Sequence, residues 1–246
     1  MVNAKIPPTH LFHLERNLGD ITRLLELHAG VSARSGGRLT ALQVLNRSAI
    51  VLLTACWEAF VEDLATSSFE WLLAECKDAQ AFPNRVRARA SKALRDDKNE
   101  LAVWDLAGDG WKAVLRRHKA ETIVNAVGTF NTPKSAQVDA LYEQLLGLPH
   151  LSTSWRWPSM PVERVRRKLD RLIEIRGNIA HRVRDTRPVR RPEVDYLVDF
   201  VNRLATLSHN AVVTHLTAVA QHSPWLTHAY RRVDQRSALQ RRRSTS

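Results

Sequence analysis

An all-α fold is what this sequence predicts, and three observations carry the prediction. Apolar residues recur at helical spacing in nearly every readable segment, no run alternates apolar and polar residues long enough for a strand, and the prolines fall between the periodic segments. At 246 residues the chain can bury one substantial core without disulfides or metals. We expect one helical domain over 1–223 with an inserted helical region at about 84–158, then a basic, flexible tail over 224–246.

The first helix is expected from about Thr9, which follows Pro7-Pro8 as an N-cap, to His28, with Leu11, Leu14, Leu18, Ile21 and Leu25 on one stripe. Ala29-Gly30 and Ser35-Gly36-Gly37 then break it. A second helix begins near Arg38 and is apolar on almost every face from Ile50 to Trp57, the pattern of a helix surrounded by others. It continues to about Lys77, with a kink expected at Thr66-Ser67-Ser68, where hydroxyls compete for backbone hydrogen bonds. From Asn84 to Pro158 the pattern weakens into a basic stretch, a Gly108-Asp109-Gly110 turn and helices at about 111–127 and 134–146. Pro161 then starts an arginine-rich amphipathic helix carrying Val162, Val165, Leu169, Leu172 and Ile173. Pro192 starts the last long helix, through Val194, Leu197, Val201, Leu204, Val212, Leu216 and Val219.

The longest dense apolar run, Ala49 to Trp57, falls short of the ~20 residues of a membrane helix, so no span is expected. The first residues lack the apolar core of a secretory signal, and a cytoplasmic location follows. Cys56 and Cys76 lack Cys-x-x-Cys spacing and read as reduced packing residues. No histidine pair is joined by acidic or cysteine partners at metal-ligand spacing, and no phosphate loop, serine-hydrolase elbow or paired-carboxylate signature is present.

The net charge of +12 is concentrated. Residues 161–192 hold 11 Lys/Arg against four Asp/Glu, and residues 231–246 hold six against one, which accounts for the whole excess. Localised basicity is the footprint of a polyanion-binding surface, here expected to comprise Arg166, Arg167, Arg171, Arg182 and Arg184. Trp155 and Trp157, in the loop before this helix, could stack unpaired bases or anchor the loop.

The basic helix ends in Arg176-Gly177-Asn178-Ile179-Ala180-His181. Arginine is a permanent bidentate phosphate ligand and histidine transfers protons near neutrality, a pair suited to phosphodiester cleavage. The spacing alone decides nothing: 29 arginines and ten histidines give about 1.2 chance Arg-x4-His pairs, and two occur, the other being Arg23 and His28. Context separates them. Residues five apart on an unbroken helix are displaced by about 140°, so the pair can address one phosphate only if the helix bends or ends, and Gly177 is expected to supply that break. Glycine costs roughly 1 kcal/mol in a helix interior, which asks for a reason: a helix terminus, or close backbone approach to a ligand. Glu58 sits in the least polar helix and must be paired or hydrogen-bonded; one expectation is a contact orienting Arg176, the other a bond to a helix end or partial exposure.

These features together resemble the HEPN superfamily, and within it the RiboL-PSP-HEPN group: a four-helix core, a Trp-Glu on the buried central helix at Trp57-Glu58, and Arg-x4-His ending Ile-Ala-His before a long final helix. The resemblance covers roughly residues 9–80 and 160–222. It implies a metal-independent endoribonuclease that needs no cofactor and acts as a homodimer, with Arg176 stabilising the phosphate and His181 as acid and base. By analogy the biological role is that of a toxin or anti-phage defence effector, restrained by a cognate antitoxin or defence-system partner. One departure stands out. Where the family commonly carries a polar residue after the arginine, this chain has Gly177, which shifts the polar contact to Asn178 or favours the alternative, a catalytically inactive HEPN module binding RNA or protein.

Overall fold

The apolar centre of the sequence becomes the centre of the molecule. The computed structural model describes residues 8–34, 39–129, 133–181 and 188–233, with side chains described at all of these except 27–34, 39–41, 126–129 and 181. Seven α-helices lie among the described residues: α1 (Thr9–Arg34), α2 (Leu39–Glu75), α3 (Asn84–Arg95), α4 (Gly110–Thr129), α5 (Ser135–Leu146), α6 (Val162–His181) and α7 (Arg191–Ala220). There is no strand among them, only an isolated bridge between Trp157 and Met160. The all-α class is as expected.

Helix α2 is the axle. Ile50, Leu53, Trp57, Phe60, Leu64, Phe69 and Leu72 are buried on it, and α1, α5, α6 and α7 pack around it. Within Leu42–Glu75 an 18-residue window reaches a mean hydropathy of 1.4, long and apolar enough by composition to cross a bilayer, contrary to the expectation that no stretch is; half of that window is buried inside the fold. Scattered acids such as Glu58, Glu62 and Asp63 hid its length from a search for dense apolar runs. The helix passes unbroken through Thr66–Ser68, where the Ser67 hydroxyl donates to the Asp63 carbonyl at 2.6 Å. Cys56 and Cys76 are both free, and 20 positions on one helix keep them about 30 Å apart, beyond any disulfide.

Several boundaries differ from the sequence reading. Helix α1 continues past Gly30 to Arg34 and starts with Pro8 as the acceptor of its first hydrogen bonds, from Leu11 and Phe12. The basic stretch after Pro83 is a helix, with Val86, Ala90 and Leu94 buried on one line. The inserted region shares the core of the bundle: the Trp57 indole donates to Pro133 O at 3.1 Å, the Tyr142 hydroxyl to Val61 O at 3.0 Å. Gly147 closes α5 in a left-handed conformation (φ 67°), where a Cβ would come within 2.7 Å of Pro83, so the turn requires glycine.

The first part of the segment expected to be a flexible tail is packed on the bundle. Residues 222–233 form a strap that runs back along α7, anchored step by step: His209 Nε2 on Leu226 O at 3.0 Å, Asn210 on both backbone groups of His228 at 2.8 Å, Tyr230 donating to Asp199, and Asn202 on Arg231 O at 2.8 Å. Residues 234–246 lie outside the described residues.

Candidate functional site

Helix α6 has two faces with different duties. Val165, Leu169, Leu172 and Ile179 are buried on the inner stripe, and Arg176, four residues after Leu172 and three before Ile179, stands on that same stripe, half-buried. Arg167, Arg171, Glu174 and Asn178 are exposed at spacings of four, three and four, and position 181 continues that outer line. The side chain of His181 lies outside the described residues, as do Arg182 and Arg184.

The break expected at Gly177 does not occur. α6 runs unbroken to His181, and a Cβ at Gly177 would meet nothing within 4 Å, so neither a helix end nor a close approach within this chain accounts for the glycine. Burial of Leu172, Ile173 and Ile179 on either side outweighs the roughly 1 kcal/mol that glycine costs a helix. The continuous helix keeps positions 176 and 181 about 140° apart, one inward and one outward.

Arg176 is distinctive for what surrounds it. Among the described residues no hydrogen bond or ion pair holds its guanidinium, although it is half-buried. The expected orienting contact from Glu58 is therefore not made: Glu58 is half-buried one turn from Glu62, whose carboxyl is pushed above the usual carboxylate range by burial and by the charges of Glu58 and Asp63. That side of α2 is an acidic stripe.

The other expected RNA contacts divide. Arg166 is taken up structurally: its Nε donates to Ser152 Oγ at 2.8 Å and its Nη2 lies 3.7 Å from Asp139, whose carboxylate also receives the Ser152 backbone and hydroxyl at 2.7 and 2.6 Å. This corrects its assignment to an RNA surface, because its fork is already filled by the loop that precedes α6. Arg171 is exposed and pairs with Glu174 at 3.2 Å. Arg167 is exposed with no ion pair among the described residues. Trp155 is fully buried, its indole donating to Ser208 Oγ at 2.9 Å and its ring edge-on to Trp57, so it anchors the loop and offers no face to a base. Trp157 is half-buried beside Phe200, with the Arg203 guanidinium 4.9 Å from its ring centre and 4.1 Å from that of Tyr230.

The far end of the molecule is tied to the motif by a short path. After the 182–187 segment, Val189 is buried and fixed to α2: its carbonyl accepts from Asn46 at 2.8 Å and its amide donates to Gln43 at 3.0 Å. Arg191 donates to Leu25 O of α1. The end of α6, the first turns of α2 and the start of α7 thus share one end of the bundle. On α2 there, Val44, Ser48, Leu52 and Ala55 are exposed along one helical line, with Val44 56% and Leu52 48% exposed.

Sequence reasoning missed a second set of polar residues. His10 and His209 are fully buried and joined at 2.9 Å, with Ser67 Oγ 3.2 Å from the other His10 nitrogen and Trp225 against both rings. Burial, reinforced by neighbouring histidines, lowers His10 to about 3, and burial lowers His209 to about 4, so the pair is neutral near pH 7. These histidines tie α1 and α2 to α7 and the strap. No group of three His, Cys, Asp or Glu side chains suited to a metal occurs among the described residues.

Compared with known proteins, the chain matches the family model described as RiboL-PSP-HEPN over residues 16–214. No curated protein and no solved structure matches it.

Proposed function

The chain belongs to the RiboL-PSP-HEPN family, and from that premise we propose that it is a metal-independent endoribonuclease that cuts RNA at the Arg176–His181 motif. HEPN domains are ribonucleases or RNA-binding modules. The observation that carries the catalytic reading is the Arg176 guanidinium, half-buried on the inner stripe of α6 and held by no partner among the described residues. Leaving a cation so placed without an internal partner suits it to an anionic ligand.

In this reading His181 draws the proton from a ribose 2′-hydroxyl. The freed oxygen attacks the adjacent phosphorus while Arg176 neutralises the charge that builds on the phosphorane. The 5′-oxygen of the next nucleotide leaves with a proton from an imidazolium. The products are a 2′,3′-cyclic phosphate and a 5′-hydroxyl. DNA, lacking the 2′-hydroxyl, binds without being cut.

Positions 176 and 181 face different ways along one helix, which supports a cleft shared by two copies, each supplying a motif. The exposed Val44–Leu52–Ala55 line at the same end offers apolar surface for such a pairing. The biological role we propose is that of a cytoplasmic toxin or defence effector restrained by a cognate partner protein.

The test is cleavage of RNA by purified protein in EDTA, with cyclic-phosphate ends as the product, alongside its sedimentation as a dimer. Loss of cleavage in Arg176→Ala and His181→Ala, with folding retained, supports the enzyme. Absence of cleavage by the parent, with RNA binding that weakens with salt, supports the second reading, an inactive RNA-binding module, which Gly177 in place of the family's common polar residue favours.

A further inference from the structure

The loop that enters α6 is built as a rigid platform. Trp157 and Met160 close a tight turn through two backbone hydrogen bonds, 3.2 and 2.9 Å, with Ser159 in the left-handed region (φ 67°) and its carbonyl receiving Arg164 at 3.0 Å. Trp155, buried one residue before Arg156, fixes the turn to α7 from beneath. On the outside lies an open cleft of about 530 Å³ lined by Arg156, Trp157, Ser159, Met160 and Pro161. The Arg203 guanidinium lies against both the Trp157 indole and the Tyr230 ring, 4.9 and 4.1 Å from their centres. Arg156 and Arg164 are exposed beside the cleft.

We propose that this cleft is a second RNA subsite, which holds one unpaired base of a single strand whose backbone runs along the outer face of α6 to the Arg176–His181 motif. The proposal rests on the RNA reading above and adds where the strand goes. Three features favour a base over other occupants. A pre-organised indole beside a thioether offers a flat, polarisable surface for a π-face, which every base has. Arg156, Arg164 and Arg203 make the surroundings cationic, suited to the phosphates on either side of a stacked base. Between the cleft and the motif, Arg167 and Arg171 stand exposed on one line of the helix, and the helical rise puts Val162 about 21 Å from Arg176. The site therefore suits flexible single strands, whose bases are free to stack.

The experiment uses the full chain and 2′-O-methyl oligouridylates, which cannot be cut by 2′-hydroxyl attack, so binding is read apart from catalysis. Fluorescence anisotropy is measured for a nonamer, which spans both places, and a trimer, which is too short to join them. Trp157→Leu is expected to weaken the nonamer about tenfold, with Trp157→Phe retaining most of the affinity. Arg156→Ala, at an exposed position, is expected to lower the salt slope of nonamer binding by about one. Circular-dichroism melting confirms that each variant is folded. Nonamer affinity unchanged in folded Trp157→Leu and in Arg156→Ala overturns the subsite and leaves the RNA reading standing. Failure of the parent to bind either oligomer overturns both.

Discussion

Arg166 and Arg176 are the same residue type on the same helix, both partly buried, and they have opposite relations to the fold. Arg166 is consumed: Ser152 and Asp139 fill its fork and lock the entry loop to α6. Arg176 has no partner among the described residues. Among the histidines, His10 and His209 satisfy each other in the interior and belong to the scaffold. An arginine-rich helix is thus no uniform polyanion surface. Residues that the fold has already satisfied hold the scaffold, and those it leaves unsatisfied are available for chemistry.

The largest effect that tests this division is Arg176→Ala. We expect a loss of 10²- to 10³-fold or more in RNA cleavage, about 3–4 kcal/mol of transition-state stabilisation, with the melting temperature nearly unchanged. If Arg166→Ala cost as much activity per folded molecule, the two arginines would belong to one surface and the contrast would fail.

Acid sharpens it next. His10 and His209 are lowered to about 3 and 4, below the unfolded value near 6.5, so the unfolded chain binds more protons than the folded one in that window. The stability they contribute is present above pH 6.5 and is lost as pH falls towards 4 and 3, by roughly 1.4 kcal/mol per pH unit for each group. Urea unfolding between pH 7 and 4 should show this slope, and replacement of His209 by glutamine should flatten it.

A smaller effect is expected from Arg166→Ala. It removes one hydrogen bond and one ion pair, but Ser152 and Asp139 still hold each other and the side chain is 32% exposed, so about 1 kcal/mol of stability is expected in denaturant melts. The smallest is Gly177→Ala, which should stabilise the protein by about 0.5–1 kcal/mol, since the added methyl enters open space in an unbroken helix. Cleavage that persists in this variant would show that the glycine serves no catalytic purpose; cleavage that vanishes while stability rises would place RNA against the backbone at 177.

Much of the scaffold was legible because its signals are periodic and local. The Ile50–Trp57 run could only be a surrounded helix, and the stripe of α7 ran without interruption. Helix α3 was missed although Val86, Ala90 and Leu94 recur at four-residue spacing, because five cations in the same stretch masked three modest apolar residues. Gly30 and Gly177 were read as breaks, yet packing on either side held both helices intact. At the site, the inner placement of Arg176 follows from its spacing to Leu172 and Ile179. Its lack of a partner, and the saturation of Arg166, depend on Asp139, Ser152 and Glu58, which no local pattern connects to α6. The His10–His209 pair spans 199 positions and left no trace in the sequence.

The strap has a consequence for the order of folding. Its Trp225 meets His10, so the edge of the core at α1 stays open to water until a segment more than two hundred positions further along arrives. The strap docks on α7, the helix just before it, so its docking follows the packing of that helix against α1 and α2. A chain nicked between Ala220 and Leu226 is therefore expected to leave the His10–His209 pair less shielded from water.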